Sequence, residues 1–328
     1  MTVSRRPAPA TDPAAALADR VLGGLAQFLR QHQLSQSNLS DPVAGDEWRD
    51  ALVVVQRNSV RHVVNRTYAE AFALRTQQPL FAWVPEWTAP GRTVADLPPA
   101  LANALRTKIR RDHAELFVRG APAVVDENIC VALGIANGTP ARLHALVFRD
   151  EARCAAVEQL RDSTPSGSVV WLPFPPDAVL VRVEGADDLH LPGLEPGVVP
   201  LTINPRSQGE TVDVQRAFPP GQRPHNRSER MLQVKLQRFP VELGFAVTVY
   251  KVQGKTLSRI VLHLSPVPNG QKLSMQAALV MMTRTPATEG IRVLSAGRSD
   301  ADIVPAALFD TARALDLPSW RARAPQMP

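Results

Sequence analysis

The chain has 328 residues, 45% apolar and 21% charged, a balance that suits a folded protein with a buried core and excludes disordered and fibrous classes. Lys and Arg number 37 against 31 Asp and Glu, so the formal charge is +6, mostly from arginine, which favours anionic partners such as phosphate backbones only weakly. Two cysteines, Cys130 and Cys154, exclude a disulfide framework and a Cys-x-x-Cys zinc site, and no apolar run reaches the roughly 18 to 20 residues of a membrane span.

Thr11 or Asp12 caps an expected N-terminal helix in which Leu17, Val21, Leu25, Phe28 and Leu29 recur at helical spacing. A polar loop over 34–46 comes next, then an apolar run at 51–55 that suits a buried strand, then a helical period over 58–72. Pro98 and Pro99 open a further predicted helix through Leu101, Leu105 and Ile109. Arg106, Lys108, Arg110 and Arg111 cluster on it, as a solvated face or as phosphate contacts.

From 116 the chain turns to β structure. The stretch LFVRGAPAVVDENI reads as strand, turn and strand, and Asn137, Gly138 and Thr139 form a turn leading into another strand. Short strands at 169–172, 178–183 and 198–203, separated by Pro and Gly, suit a small barrel inserted in a larger domain. With 30 prolines and 18 glycines, the chain is punctuated by stiff turns more than by flexible linkers.

Gly254, Lys255 and Thr256 spell the end of a phosphate-binding loop, but the glycine needed five places earlier is Val249. The next residues, LSRIVLHL, alternate like a strand, where a phosphate loop opens a helix.

These residues instead resemble motif V of PIF/RecD-type superfamily 1 DNA helicases. In FPVELGFAVTVYKVQGKTLSRIVLHL (239–264) the matching positions are Pro240, Leu243, Ala246, Thr248, Lys251, Gln253, Gly254, Thr256 and Leu257. Further on, VMMTRTPATEGIRVL (280–294) resembles motif VI through Val280, Thr283, Arg284, Glu289 and Gly290. Upstream, VRGAPAVVDENICVALGIANGT resembles a family stretch through Gly120, Ala121, Pro122, Asn128, Asn137, Gly138 and Thr139, and VVVQRNSVRHVVN resembles motif IV through Asn58 and Asn65. The resemblance covers roughly residues 50–295.

The resemblance implies an α/β fold: a RecA-like second lobe of the P-loop NTPase type, carrying a small inserted SH3-like β-barrel. The expected organisation is an N-terminal helix and polar loop at 1–46, the first part of the lobe at 47–165, the barrel at 166–235, the rest of the lobe with motifs V and VI at 236–300, and a C-terminal helix and tail at 301–328.

For chemistry the resemblance implies that Arg284 is an arginine finger reaching the γ-phosphate of ATP, where a planar, permanently charged guanidinium stabilises charge on the transferring phosphoryl group. Lys251, Gln253 and Gly254 would meet nucleotide and DNA phosphates. Thr248 and Thr256 are either hydroxyl donors to phosphate or ordinary strand threonines. Asn58, Asn137 and Thr139 are possible nucleic-acid contacts, the last two equally a plain turn. Trp171, Phe174 and Arg182 in the expected barrel are stacking or phosphate candidates, or core.

The chain departs from the family at Tyr250, where a histidine is usual, at Val252 in place of serine, and at Met281 and Met282. It also carries no G-x-x-x-x-G-K-[ST] pattern, and Asp126 and Glu127 fall inside the upstream match, so they do not supply the Asp-Glu pair that holds magnesium. The expectation is therefore the C-terminal part of an ATP-dependent DNA helicase, inactive alone. ATP and Mg2+ would belong to the complete enzyme, with a first RecA-like lobe supplied upstream or in trans. The partner is single-stranded DNA or a junction of single and double strands. The alternative is a non-catalytic single-stranded nucleic-acid binding module. The expected location is soluble and intracellular, nuclear or mitochondrial in a eukaryote and cytoplasmic in a bacterium.

Overall fold

A computed structural model describes residues 48, 51–88, 97, 99–165, 167–203, 210–213, 233–263 and 280–294. The expected N-terminal helix and C-terminal tail lie outside them. In chain order the elements are β1 (Leu52–Val55), α1 (Asn58–Thr76), β2 (Leu80–Trp83), β3 (Glu86–Thr88), α2 (Pro99–His113), β4 (Glu115–Phe117), β5 (Pro122–Val125), β6 (Pro140–Val147), α3 (Glu151–Ser163), β7 (Val169–Trp171), β8 (Ala178–Val183), β9 (Val198–Leu201), β10 (Glu210–Asp213), β11 (Gln233–Gln237), β12 (Val241–Leu243), β13 (Ala246–Thr248), β14 (Ile260–His263) and β15 (Ile291–Leu294). The protein is thus mixed α/β. Among the described residues no helix is long and apolar enough to cross a membrane.

The chain divides into two compact units, one from Met1–Asn58 with Val247–Pro328 and the other Ser59–Ala246. In the first, the strands run in the order β13-β1-β14-β15, and β14 pairs in parallel with both β1 and β15. Val53, Val54, Val55, Ile260 and Leu262 are buried. Such an all-apolar run is what a strand covered on both faces requires.

The continuous unit contains an antiparallel sheet in the order β12-β5-β6-β8-β9, with an irregularity in the β6–β8 register between Leu143 and Ala145. The strands expected in a separate barrel, β8 and β9, are hydrogen-bonded here into one sheet with β5 and β6, so the sheet takes strands from both sides of residue 165. Its core gathers Trp83, Phe117, Val181, Leu201, Phe239 and Phe245. α2 lays Leu101, Leu105 and Ile109, the i, i+4 stripe of its sequence, against Val234 and Leu236 of β11 and Trp87 of β3.

Two side chains staple the ends of this unit's chain path. Arg61 of α1 forms an ion pair with Glu242 of β12. Asn65 of α1 is buried, donates to the Leu243 and Ala246 carbonyls at 2.9 and 3.1 Å and accepts from the Ala246 N–H at 2.7 Å. Asparagine carries a donor and an acceptor on one planar group, which is what this backbone requires. The role of Asn65 in the motif IV match is structural.

Candidate functional site

The site grows from the turn after β13. A 3-10 turn over Val249–Val252 buries its first and last side chains, so they anchor it, and Tyr250 is left 78% exposed. Gln253 is extended and exposed. Gly254 comes next with φ of +78°, a left-handed conformation that a β-carbon disfavours, and open space surrounds it. The Lys255 N–H returns to the Val252 carbonyl at 3.1 Å, closing the loop before β14. Because a strand succeeds the Gly-Lys-Thr, these residues do not form a phosphate loop of the helix-opening kind.

The motif VI segment meets this loop through its backbone. Residues 280–282 are helical, and beyond them the Arg284 carbonyl accepts the Leu257 N–H at 2.8 Å. The guanidinium of Arg284 donates through Nε to the Val280 carbonyl at 2.9 Å and through Nη2 to the Thr283 hydroxyl at 2.9 Å. Its Nη1 reaches the Lys255 carbonyl at 3.5 Å. Arg284 is half-buried and leans on the segment it would work with.

Lysine charge is concentrated here. Burial, and then the positive charge of Lys251, hold the Lys255 ammonium below its ordinary range. An anion seated beside both lysines would relieve their repulsion. Thr256 is exposed on the same loop, whereas Thr248 is buried in β13 and does not cap the turn beyond it. Phosphate contact by Thr248 would require it to leave the strand.

Gly290, from the motif VI match, has a packing role. A β-carbon there would lie 2.4 Å from the Ser258 carbonyl oxygen, so glycine is what lets β15 begin beside β14. Sequence reasoning missed a neighbouring cluster in which the guanidiniums of Arg292 and Arg259 lie 4.4 and 6.0 Å from the Trp48 ring. Arginine at 259 and 292, beside and on adjacent parallel strands, was the available signal.

No family model matches the chain, and no curated protein does. Among solved structures, it is similar to Bacteroides Pif1 bound to single-stranded DNA (15% identity, TM-score 0.44, covering 93% of this chain and 54% of that one). It is also similar to Pif1 helicase from Candida albicans (18% identity, TM-score 0.38, covering 87% and 55%). A third likeness is to a structure of two coordinating Pif1 helicases at forked double-stranded DNA (15% identity, TM-score 0.42, covering 93% and 52%). The chain spans about half the length of these proteins. With scores this low, no residue role carries over.

The remaining candidates lie elsewhere. Asn58 is exposed at the first residue of α1. In the continuous unit the Asn137 N–H donates to the Asn128 side chain at 3.0 Å. The Thr139 hydroxyl donates to the Gly134 carbonyl and accepts from the Ala136 N–H, which gives Thr139 a structural part in its own loop. Of the aromatic candidates, Trp171 is covered by the Arg110 guanidinium at 4.1 Å, and Phe174 lies between Phe148 and Arg153. Arg182 is held by Glu195 and the Pro196 carbonyl. Within the fold these side chains stack and pair with their neighbours.

Proposed function

We propose that this chain is the C-terminal part of an ATP-dependent DNA helicase of PIF/RecD type, a RecA-like second lobe whose motif V loop binds nucleic-acid phosphate. The observation that carries this reading is the backbone hydrogen bond from Leu257 to Arg284. It joins two segments, matched independently to motifs V and VI, into one corner holding Lys251, Lys255 and Arg284. Phosphoryl transfer calls for such a corner, because fixed cations beside a developing negative charge lower the barrier.

In the complete motor Arg284 is the finger. To act on ATP its guanidinium exchanges its bonds to the Val280 carbonyl and Thr283 hydroxyl for phosphate oxygens. The side chains that form this corner, Lys251, Lys255 and Arg284, are cations and offer Mg2+ no oxygen ligand. Magnesium and the body of the nucleotide are assigned to a first lobe, upstream or in trans. A single-stranded nucleic-acid binding module is the second reading, favoured by the local engagement of Arg284.

Binding of a labelled oligothymidylate across a salt series tests the shared part of both readings. The affinity of the isolated chain should fall linearly on log–log axes. Lys251→Ala and Lys255→Ala should each flatten the slope by about 0.7. The isolated chain should not turn over ATP, and turnover that disappears in Arg284→Ala would overturn the assignment. In a complete motor, Arg284→Ala should lower turnover by about three orders of magnitude and leave strand affinity nearly unchanged.

A further inference from the structure

Tyr250 is the most exposed of the large apolar side chains among the described residues. Its position is not an accident of a loose loop. Val249 and Val252 are buried at positions i and i+3 of a 3-10 turn, where side chains eclipse, so the turn is pinned by one edge. The other edge, carrying Tyr250 and the exposed Gln253, is held outward. Among the described residues no ring or cation lies on the Tyr250 face. By contrast, Trp171, Phe174 and Trp48 are all covered by arginine.

A bare aromatic ring in a basic loop has a specific use. Lys251 adjoins it directly and Lys255 lies one turn of loop away, so phosphate-binding charge stands next to a flat apolar face. Every base has such a face and every nucleotide of a strand brings a phosphate, so the pair recognises a single strand without regard to sequence. A protein surface would cover the ring equally well, but a nucleic-acid strand also delivers an anion to the lysines with each base it stacks.

We propose that Tyr250 is a stacking platform for a base of a single nucleic-acid strand whose adjoining phosphates lie against Lys251 and Lys255. This rests on the nucleic-acid reading of the loop and adds to it a base contact. In this position, the histidine usual in the resembling family is replaced by a larger ring.

The test compares an oligothymidylate with an abasic oligonucleotide of the same length, which presents the same phosphates and no bases. Wild-type chain should bind the oligothymidylate roughly tenfold more tightly, and Tyr250→Ala should lose that preference by weakening oligothymidylate binding about tenfold. Binding of the abasic strand should hardly change. Tyr250→Trp should retain the preference, and its added indole emission should be quenched by oligothymidylate and not by the abasic strand, a signal that a merely structural role would not produce. Equal wild-type binding of both strands, or a preference that survives in Tyr250→Ala, overturns the stacking platform while the phosphate-binding reading stands. Thymidine monophosphate competing as well as the oligonucleotide also overturns it, since the ring would then serve a free nucleotide. Failure of wild type to bind either strand overturns both.

Discussion

Glu115 shows how one side chain sets a pH dependence. It is buried on β4, where its carboxylate accepts from the Trp83 indole N–H at 2.8 Å and the Phe239 N–H at 3.2 Å, with Arg238 Nε 3.5 Å away. Burial nevertheless raises its pKa from 4.5 to about 7, against the lowering pull of Arg238 and the two hydrogen bonds, with Asp126 adding a smaller upward push. For an acid raised on folding, the unfolded chain loses its proton first. The contribution of Glu115 to stability is therefore greatest below pH 4.5, falls as pH rises towards about 7, and then levels off, a loss on the order of 3 kcal/mol. Urea unfolding of wild type and Glu115→Gln at pH 5 and pH 8 isolates this contribution. The stability of wild type relative to the variant should drop between the two pH values, and a constant difference would refute the buried-charge account. Nothing in the sequence marks Glu115, because a lone glutamate at the start of a three-residue strand has no pattern until Phe239 folds beside it.

At the scale of elements, two glycines of the motif matches make opposite demands. Gly290 is a matter of space, since any β-carbon meets the Ser258 oxygen at 2.4 Å and must drive β15 away from β14. Gly254 is a matter of backbone, with φ of +78° and room for a side chain. Gly290→Ala should therefore cost roughly 1–3 kcal/mol through overpacking, whereas Gly254→Ala should cost about 1 kcal/mol and Gly254→Asn less still. Thermal unfolding of the three variants decides it: equal losses at both positions would contradict the distinction. The sequence shows both glycines as motif positions without separating these causes. Elements with a strong local period are legible: the strand at 178–183, the helix begun at Pro99, and the strand after Gly-Lys-Thr appear where the pattern places them. α3 escapes the pattern because it buries no side chain. Its signals are end effects, an Asp150 carboxylate capping the Ala152 N–H at 2.8 Å, Glu151 in the first turn and Arg161 in the last.

For the whole molecule, pairing across long separations is the part the sequence hides. β5 finds β12 through Ala123 opposite Leu243, and β1 finds β14 through Leu52 opposite Ile260, partners that no local period can name. These two closures differ in consequence. The Ser59–Ala246 unit is one continuous stretch, its first helix tied by Arg61 and Asn65 to its last strand and turn, so every sheet partner described in it is internal to that stretch. The other unit takes β1 from one side of this stretch and β14 and β15 from the other. A fragment of residues 59–246 should therefore fold alone, with cooperative thermal unfolding and a near-ultraviolet dichroism signal from Trp83 packed edge-on to Phe239. Asn65→Ala in the intact chain strands the Ala246 N–H and the Leu243 and Ala246 carbonyls, and should lower the stability of this unit by about 1–3 kcal/mol. The fragment also lacks Tyr250, Lys251, Lys255 and Arg284. If it folds and binds oligothymidylate with the full salt slope of the intact chain, nucleic-acid binding belongs to the Ser59–Ala246 unit, and the motif V corner loses the role assigned to it.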